Sequence, residues 1–209
     1  HGDEQWIAFL DSDNAYLPTM AEHSLARARE CPEADIVCFG QTIFRDHGVS
    51  DDFLAWLKGE EIPSFHGNIF HDVLSAAVAL DPNTAIIRRE ALDAVGGLDD
   101  SINAYECWEL HIRLAQRSSY ACVPEPLVKY RVHGEQITGN AEPYAEGLLR
   151  LLNKHRELFR ETKGTDAWQG ALTRLWGHIL HVPGLRAFRF AARALALAPT
   201  SPPMLASRF

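Results

Sequence analysis

The sequence predicts an α/β domain followed by a region made of helices alone. Up to about residue 138, short apolar segments rich in β-branched residues alternate with segments that have the apolar spacing of helices. From residue 141 onward, every segment has helical spacing. Strands that alternate with helices favour a partly parallel, mixed sheet flanked by helices on both faces. We therefore predict an α/β domain over residues 1–138 and a helical extension over residues 139–209.

Each element follows from its local residue types. Runs of β-branched and aromatic residues predict strands. Pro18 at a first turn and Gly96-Gly97 after a last turn mark helix ends. The predicted strands cover 5–10, 35–44, 120–123 and 127–132, with a short one near 86, and the predicted helices cover 18–31, 53–58, 69–77, a stretch from about 90, 104–116, 142–160, 166–181 and 185–197.

The composition is that of an ordinary globular protein. Of its 209 residues, 46% are hydrophobic and 23% are charged. No apolar run is long enough to predict a spanning helix, and the polar first residues predict no signal peptide. The four cysteines form no C-x-x-C pair, which argues against a structural zinc site and against a disulfide framework. We therefore expect a reducing, cytoplasmic environment.

Charge is distributed unevenly along the chain. The net charge is −8, yet residues 171–209 contain five arginines and no acidic residue. Because residues 1–170 are acidic overall, we do not expect the chain to bind an extended nucleic acid. Arg186, Arg189 and Arg193 share one helical face. That face is either solvated or a contact with an anionic membrane surface, so membrane association through the basic C-terminal helices stays open.

Two carboxylates stand directly after the first predicted strand, in the stretch WIAFLDSDN. Asp11 and Asp13 would repel each other and lose hydration there, so some other interaction must offset that cost. Turn hydrogen bonds would do so, because Asp, Ser and Asn favour turns. A divalent cation with a phosphate partner would do so as well, because alternate residues of an extended segment point the same way.

Four separated motifs have to be considered together. They are Asp11-Ser12-Asp13 at a strand end, IIRREALDAVGGLDDSI over 86–102, YECWELHIRLA over 105–115, and VPEPLVKYRVHGEQIT over 123–138. In this order and at this spacing they resemble the second half of a family 2 glycosyltransferase with the Rossmann-like GT-A fold, over residues 6–138. The resemblance implies a partial GT-A mixed sheet.

The resemblance implies transfer of a sugar from a nucleotide-sugar donor to a hydroxyl of a glycan, lipid-linked or small-molecule acceptor, with inversion. A divalent cation, Mn²⁺ or Mg²⁺, would neutralise the diphosphate leaving group. By resemblance, Asp13 holds this cation, Asp11 contacts the donor ribose or shares the cation, and His133 supplies a ligand or a phosphate contact. Arg131 would pair with phosphate oxygens. Each residue also has a structural alternative. Asp11 and Asp13 could cap the helix near Pro18, His133 could be a turn histidine, and Arg131 could form a surface ion pair.

The sequence departs from the family pattern at Cys107, where the family has the aspartate that deprotonates the acceptor. A thiol has an unperturbed pKa of about 8.5. The carboxylates of Glu106 and Glu109 disfavour its anion further, so Cys107 is a poor base. We predict Glu106 as the substitute base, with Glu109, one turn along on the same face, as the second candidate.

Two classes of function therefore stay open. One is an active glycosyltransferase, and the other is a catalytically degenerate module that binds a glycan or a partner. The family's first half, which holds the nucleobase, would precede Trp6. We accordingly expect either a fragment of a longer enzyme or a chain that binds its donor weakly.

Overall fold

The computed structural model describes residues 4–45, 65–78, 80–133, 140–162 and 165–198. The described residues fall into two compact units. The first unit takes them from His1–Leu98 and Leu110–Gln136, and the second from Asp99–Glu109 and Ile137–Phe209. The predicted helix over 53–58 lies outside the described residues.

A five-stranded mixed sheet forms the first unit, as the sequence predicts. The strand order is β1-β4-β3-β5-β2. The β3–β5 pair is parallel, and the other three pairs are antiparallel. The strands are β1 (Trp6–Ala8), β2 (Ala15–Tyr16), β3 (Ala34–Arg45), β4 (Ala85–Arg88) and β5 (Ser119–Val132).

The two long central strands, β3 and β5, pair along almost their whole length. Val37 lies opposite Ala121, and both side chains are fully buried. The sequence predicts two short strands where the structure has β5 alone. The prolines at 124 and 126 cannot donate backbone hydrogen bonds, but the register shifts on both sides of Gly40 accommodate them without ending the strand.

Four helices accompany the sheet in sequence. Buried Met20 and Ala28 of the first one join the apolar cluster formed by β3 and β5. The third helix ends at Ala94, and Gly96 and Gly97, whose φ values of 77° and 72° suit glycine, follow its cap as predicted. The helices are α1 (Met20–Glu30), α2 (Phe70–Leu74), α3 (Arg89–Ala94) and α4 (Glu106–Ala115), and a 3₁₀ turn covers Pro82–Thr84.

Helices make up the C-terminal part of the second unit. The sequence predicts one helix over 142–160, but the helix is interrupted at His155, whose φ of −103° and ψ of 19° leave the helical region. A Cβ at residue 147 would lie 2.2 Å from the carbonyl oxygen of Ala104, so only glycine fits there. The helices are α5 (Ala141–Lys154), α6 (Arg156–Glu161), α7 (Thr165–His181) and α8 (Arg186–Leu197).

The arginine face of α8 is largely paired within the second unit. Arg186 contacts Glu142 at 2.9 Å, and Arg193 contacts Glu146. Phe188, on the same helix, is 72% exposed. Across the described ranges, no helix is both long enough and apolar enough to cross a bilayer. Surface contact with a membrane stays a prediction.

A buried histidine lies in the core of the first unit. His111 has no exposed surface, and its Nδ1 lies 3.0 Å from the hydroxyl oxygen of Tyr120. Its Nε2 has no hydrogen-bond partner among the described residues. Burial lowers the pKa of His111 to about 4, because the charged imidazolium would lose its hydration.

This histidine should make the fold sensitive to acid. The folded-state pKa lies below the unfolded value of about 6.5, so the unfolded state binds more protons between about pH 6.5 and pH 4 and stability falls as pH falls through that window. The loss between pH 7 and pH 5 should be about 2 kcal/mol. Urea unfolding at pH 7 and at pH 5 measures this loss of stability. The His111→Asn variant should no longer show it, whereas His71→Asn, at an exposed position, should. An unchanged pH slope in His111→Asn would contradict the assignment.

Candidate functional site

The chain turns sharply where β1 ends. The backbone N–H of Asn14 donates to the carbonyl oxygen of Asp11 at 3.1 Å, which closes a turn around Ser12 and Asp13. The D-x-D segment is therefore turned and not extended. Its two carboxylates consequently have different partners.

Asp13 meets His133 in the first unit, although 120 positions separate them in sequence. His133 Nε2 lies 2.9 Å from Asp13 Oδ2. The side chains are 26% exposed for His133 and 32% exposed for Asp13, so the pair is accessible from solvent. His133 directly follows β5, and Asp13 directly precedes the segment that enters β2. Because β2 pairs with β5, the sheet brings the two residues together.

Asp11 is held by Asn83, a residue that the sequence analysis did not identify. Asn83 Nδ2 donates to Asp11 Oδ2 at 2.7 Å, and the backbone N–H of Asp11 donates to Asn83 Oδ1 at 2.6 Å. Asn83 is only 1% exposed, and Asp81 Oδ1 accepts its backbone N–H at 2.8 Å. These hydrogen bonds satisfy the buried amide of Asn83 and fix the direction of the exposed Asp11 carboxylate. No sequence pattern distinguishes Asn83 from an ordinary turn asparagine.

Nearby charge and burial also affect Tyr16, the final residue of β2. Its hydroxyl donates to the carbonyl oxygen of Phe9. Burial raises the pKa of Tyr16 to about 12, and the negative charges of Asp81 and Asp11 add to that rise. The phenol is therefore a neutral hydrogen-bond donor that fixes the turn between β1 and β2.

Arg131 reaches the same turn through its backbone. Its N–H donates to Asn14 Oδ1 at 2.9 Å. The other amide atom of that side chain, Asn14 Nδ2, is buried and has no hydrogen-bond partner among the described residues. A buried donor without a partner is uncommon, and this one is too enclosed to meet a ligand without a local rearrangement. Asn14 is thus a second residue that the motif comparison did not single out.

The residues present fit a divalent cation in part. Neighbouring ligand atoms of an octahedral Mg²⁺ lie about 3 Å apart, because each bond is about 2.1 Å long. The 2.9 Å separation of Asp13 Oδ2 and His133 Nε2 suits this arrangement. Asp11 does not join them: in the described part of the chain, the only trio of His, Cys, Asp or Glu ligand atoms that converge is Cys31, Glu33 and His66.

The predicted general bases lie at the start of α4, in the second unit. Glu109 is fully buried, and its Oε1 lies 2.7 Å from Lys154 Nζ and 2.8 Å from His155 Nε2. Lys154 also contacts Asp99 at 2.5 Å, and this hydrogen bond holds the pKa of the Asp99 carboxyl well below its usual range. The surroundings of Glu109 are those of a structural ion pair.

Glu106 and Cys107 have different surroundings from Glu109. Both are partly exposed, and the Cys107 thiol donates to Glu106 Oε1 at 3.2 Å. A carboxylate that accepts a thiol hydrogen bond keeps lone pairs for another donor, such as an acceptor hydroxyl. This geometry favours Glu106 over both Cys107 and Glu109 as a base.

The residue before α4 has an unusual backbone. Tyr105 has φ of 65°, a left-handed conformation that is costly for a bulky residue. Its hydroxyl lies 2.6 Å from His178 Nε2, and its ring packs against Trp108 and Tyr144. Burial raises the pKa of Tyr105 to about 12. These contacts hold the strained start of α4, and with it Glu106, in one place.

Comparison with known proteins gives likenesses to solved structures alone. No protein-family model matches the chain, and no curated protein sequence matches it. Among solved structures, the crystal structure of S. aureus TarS 1–349 aligns with 94% of this chain at 14% identity, with a TM-score of 0.48. The chain spans 65% of that structure.

Replacing Glu109 and replacing Glu106 should have different effects on the free energy of unfolding. Glu109→Gln removes the charge that pairs with Lys154 and His155 in a buried position. Breaking such a pair costs about 3–5 kcal/mol, and we expect the lower end because Lys154 is 36% exposed. Glu106→Gln should change the free energy of unfolding in urea by less than about 0.5 kcal/mol. Equal losses in both variants would contradict the structural assignment of Glu109.

Proposed function

We propose that the chain transfers a sugar from a nucleotide-sugar donor to an acceptor hydroxyl. One observation carries the proposal: Asp13 of the D-x-D segment and His133 of the Y-R-V-H segment lie 2.9 Å apart. The motif resemblance assigns both residues to the donor diphosphate. Their convergence supports that assignment because neither residue's local sequence requires the other.

In the proposed donor site, Asp13 and His133 hold Mn²⁺ or Mg²⁺, which neutralises the negative charge of the leaving diphosphate. The Arg131 guanidinium supplies hydrogen bonds to phosphate oxygens. Asp11, fixed by Asn83, accepts hydrogen bonds from the donor ribose. Each of these residues belongs to the first unit.

In the proposed reaction, Glu106 takes the proton of the acceptor hydroxyl. The acceptor oxygen then attacks the anomeric carbon, and the bond to the diphosphate breaks on the opposite side, which inverts the configuration. The nucleoside diphosphate leaves with the electron pair of that bond.

The donor site can be tested without knowing the nucleotide. Inorganic pyrophosphate with Mn²⁺ should raise the melting temperature by about 3–5 °C at ten times its Kd, since that occupancy contributes about 1.4 kcal/mol. Asp13→Ala and His133→Ala should each abolish the shift. His23→Ala should retain it, because His23 forms a similar 2.9 Å pair with Glu125 away from the D-x-D turn. A shift that survives in Asp13→Ala would contradict the site.

The alternative is a degenerate module that binds a glycan or partner, and Cys107 is the observation that favours it. Turnover of a panel of nucleotide sugars separates the two. If Glu106 is the base, Glu106→Gln should lower turnover by about 10²–10⁴-fold and Cys107→Asp should change it little. If the missing aspartate is the defect, Cys107→Asp should raise turnover by a similar factor. Pyrophosphate binding without turnover in all three proteins would support the binding module.

A further inference from the structure

A second group of metal-binding side chains lies elsewhere in the first unit. Ligand atoms of Cys31, Glu33 and His66 lie within 4.8 Å of one another. His66 Nε2 and Glu33 Oε1 are 2.7 Å apart. The Cys31 side chain is buried, whereas those of Glu33 and His66 are about half exposed, at 53% and 49%. The group therefore has one protected ligand and two that solvent can reach.

The backbone holds all three residues in place. Cys31 ends α1, donating its N–H to Arg27 and accepting the N–H of Ala34, both at 3.0 Å, so Glu33 lies in a tight turn into β3. His66 precedes Gly67, which exchanges two backbone hydrogen bonds with Tyr120 of β5, at 2.7 and 2.8 Å. Residues from two separate segments are thus fixed against the paired starts of β3 and β5.

We propose that Cys31, Glu33 and His66 bind a zinc ion. A thiolate, an imidazole and a carboxylate are the ligand types of Zn²⁺. Ligand atoms of tetrahedral zinc lie about 3.3–3.8 Å apart, so the observed group needs only small side-chain adjustments. On binding, the Cys31 thiol loses its proton to solvent and the sulfur forms the metal bond.

Three protein ligands leave one tetrahedral position for water or a ligand of the bound ion. The site differs from the proposed donor site in residues and in chemistry, because a thiolate disfavours Mg²⁺ and Mn²⁺. The absence of a C-x-x-C pair argues against a structural zinc site in the sequence, but that pattern does not test a trio with a single cysteine. His23 and Glu125 form a similar exposed pair, 2.9 Å apart. Among the described residues this pair belongs to no converging trio, so it serves as the matched control.

Cobalt(II) tests this site through its sulfur ligand. Co²⁺ added to the reduced full chain should give a sulfur-to-cobalt charge-transfer absorption at one equivalent, and Zn²⁺ should displace it. Cys31→Ser should abolish the absorption, and Glu33→Gln and His66→Ala should weaken Co²⁺ binding at least tenfold. His23→Ala and Asp13→Ala should leave it unchanged, which separates this site from the proposed donor site.

Two results of the absorption measurement would overturn the proposal. One is the absence of a charge-transfer absorption in the wild-type chain, and the other is an absorption that persists in Cys31→Ser. Glu33→Gln and His66→Ala change half-exposed side chains, so both variants should fold normally. They keep the test decisive if the Cys31→Ser variant is unstable. Full-strength binding in both of these variants would also overturn it.

Discussion

The parallel pairing of β3 with β5 is the constraint on which the rest of the first unit depends. Both strands are buried along their centres, and β4 and β2 attach to their outer sides. Ala15 of β2 lies opposite Lys129 of β5 in an antiparallel register, so the residues just before Ala15 run beside those just after Lys129. This register is what places Asp13 next to His133. At the other end of the pair, Ala34 lies opposite Ser119.

Each end of the β3–β5 pair lies near a different polar group. Asp13 and His133 lie near one end, and Cys31, Glu33 and His66 lie near the other. Buried β-branched and aromatic side chains fill the middle, and the polar side chains lie where the strands emerge, since burial without partners would be costly there. The buried amide of Asn83 shows how that cost is met. It donates to the carboxylate of Asp11 and accepts the Asp11 backbone N–H, which satisfies the amide and fixes the direction of the exposed carboxylate.

The sequence predicts the mixed α/β class and most elements, because the apolar periodicity of strands and helices is local information. Strand β3 differs from its predicted bounds by one residue at each end. The strand order, the role of Asn83 and the positive φ of Tyr105 depend on tertiary contacts that no local pattern encodes. Likewise, Asp13 and His133 are recognisable as a pair only through the motif comparison, since 120 positions separate them.

The long sequence separation between β3 and β5 has a consequence for synthesis on the ribosome. Ala34 pairs with Ser119, so β3 is translated well before its parallel partner exists. Until β5 emerges, β4 is the one partner of β3 among the described strands, and the other edge of this apolar strand is left open to intermolecular pairing. Nascent chains that end before Val132 should therefore be the species most dependent on chaperones, and loop closure over this distance should make folding slow for a sheet of this size.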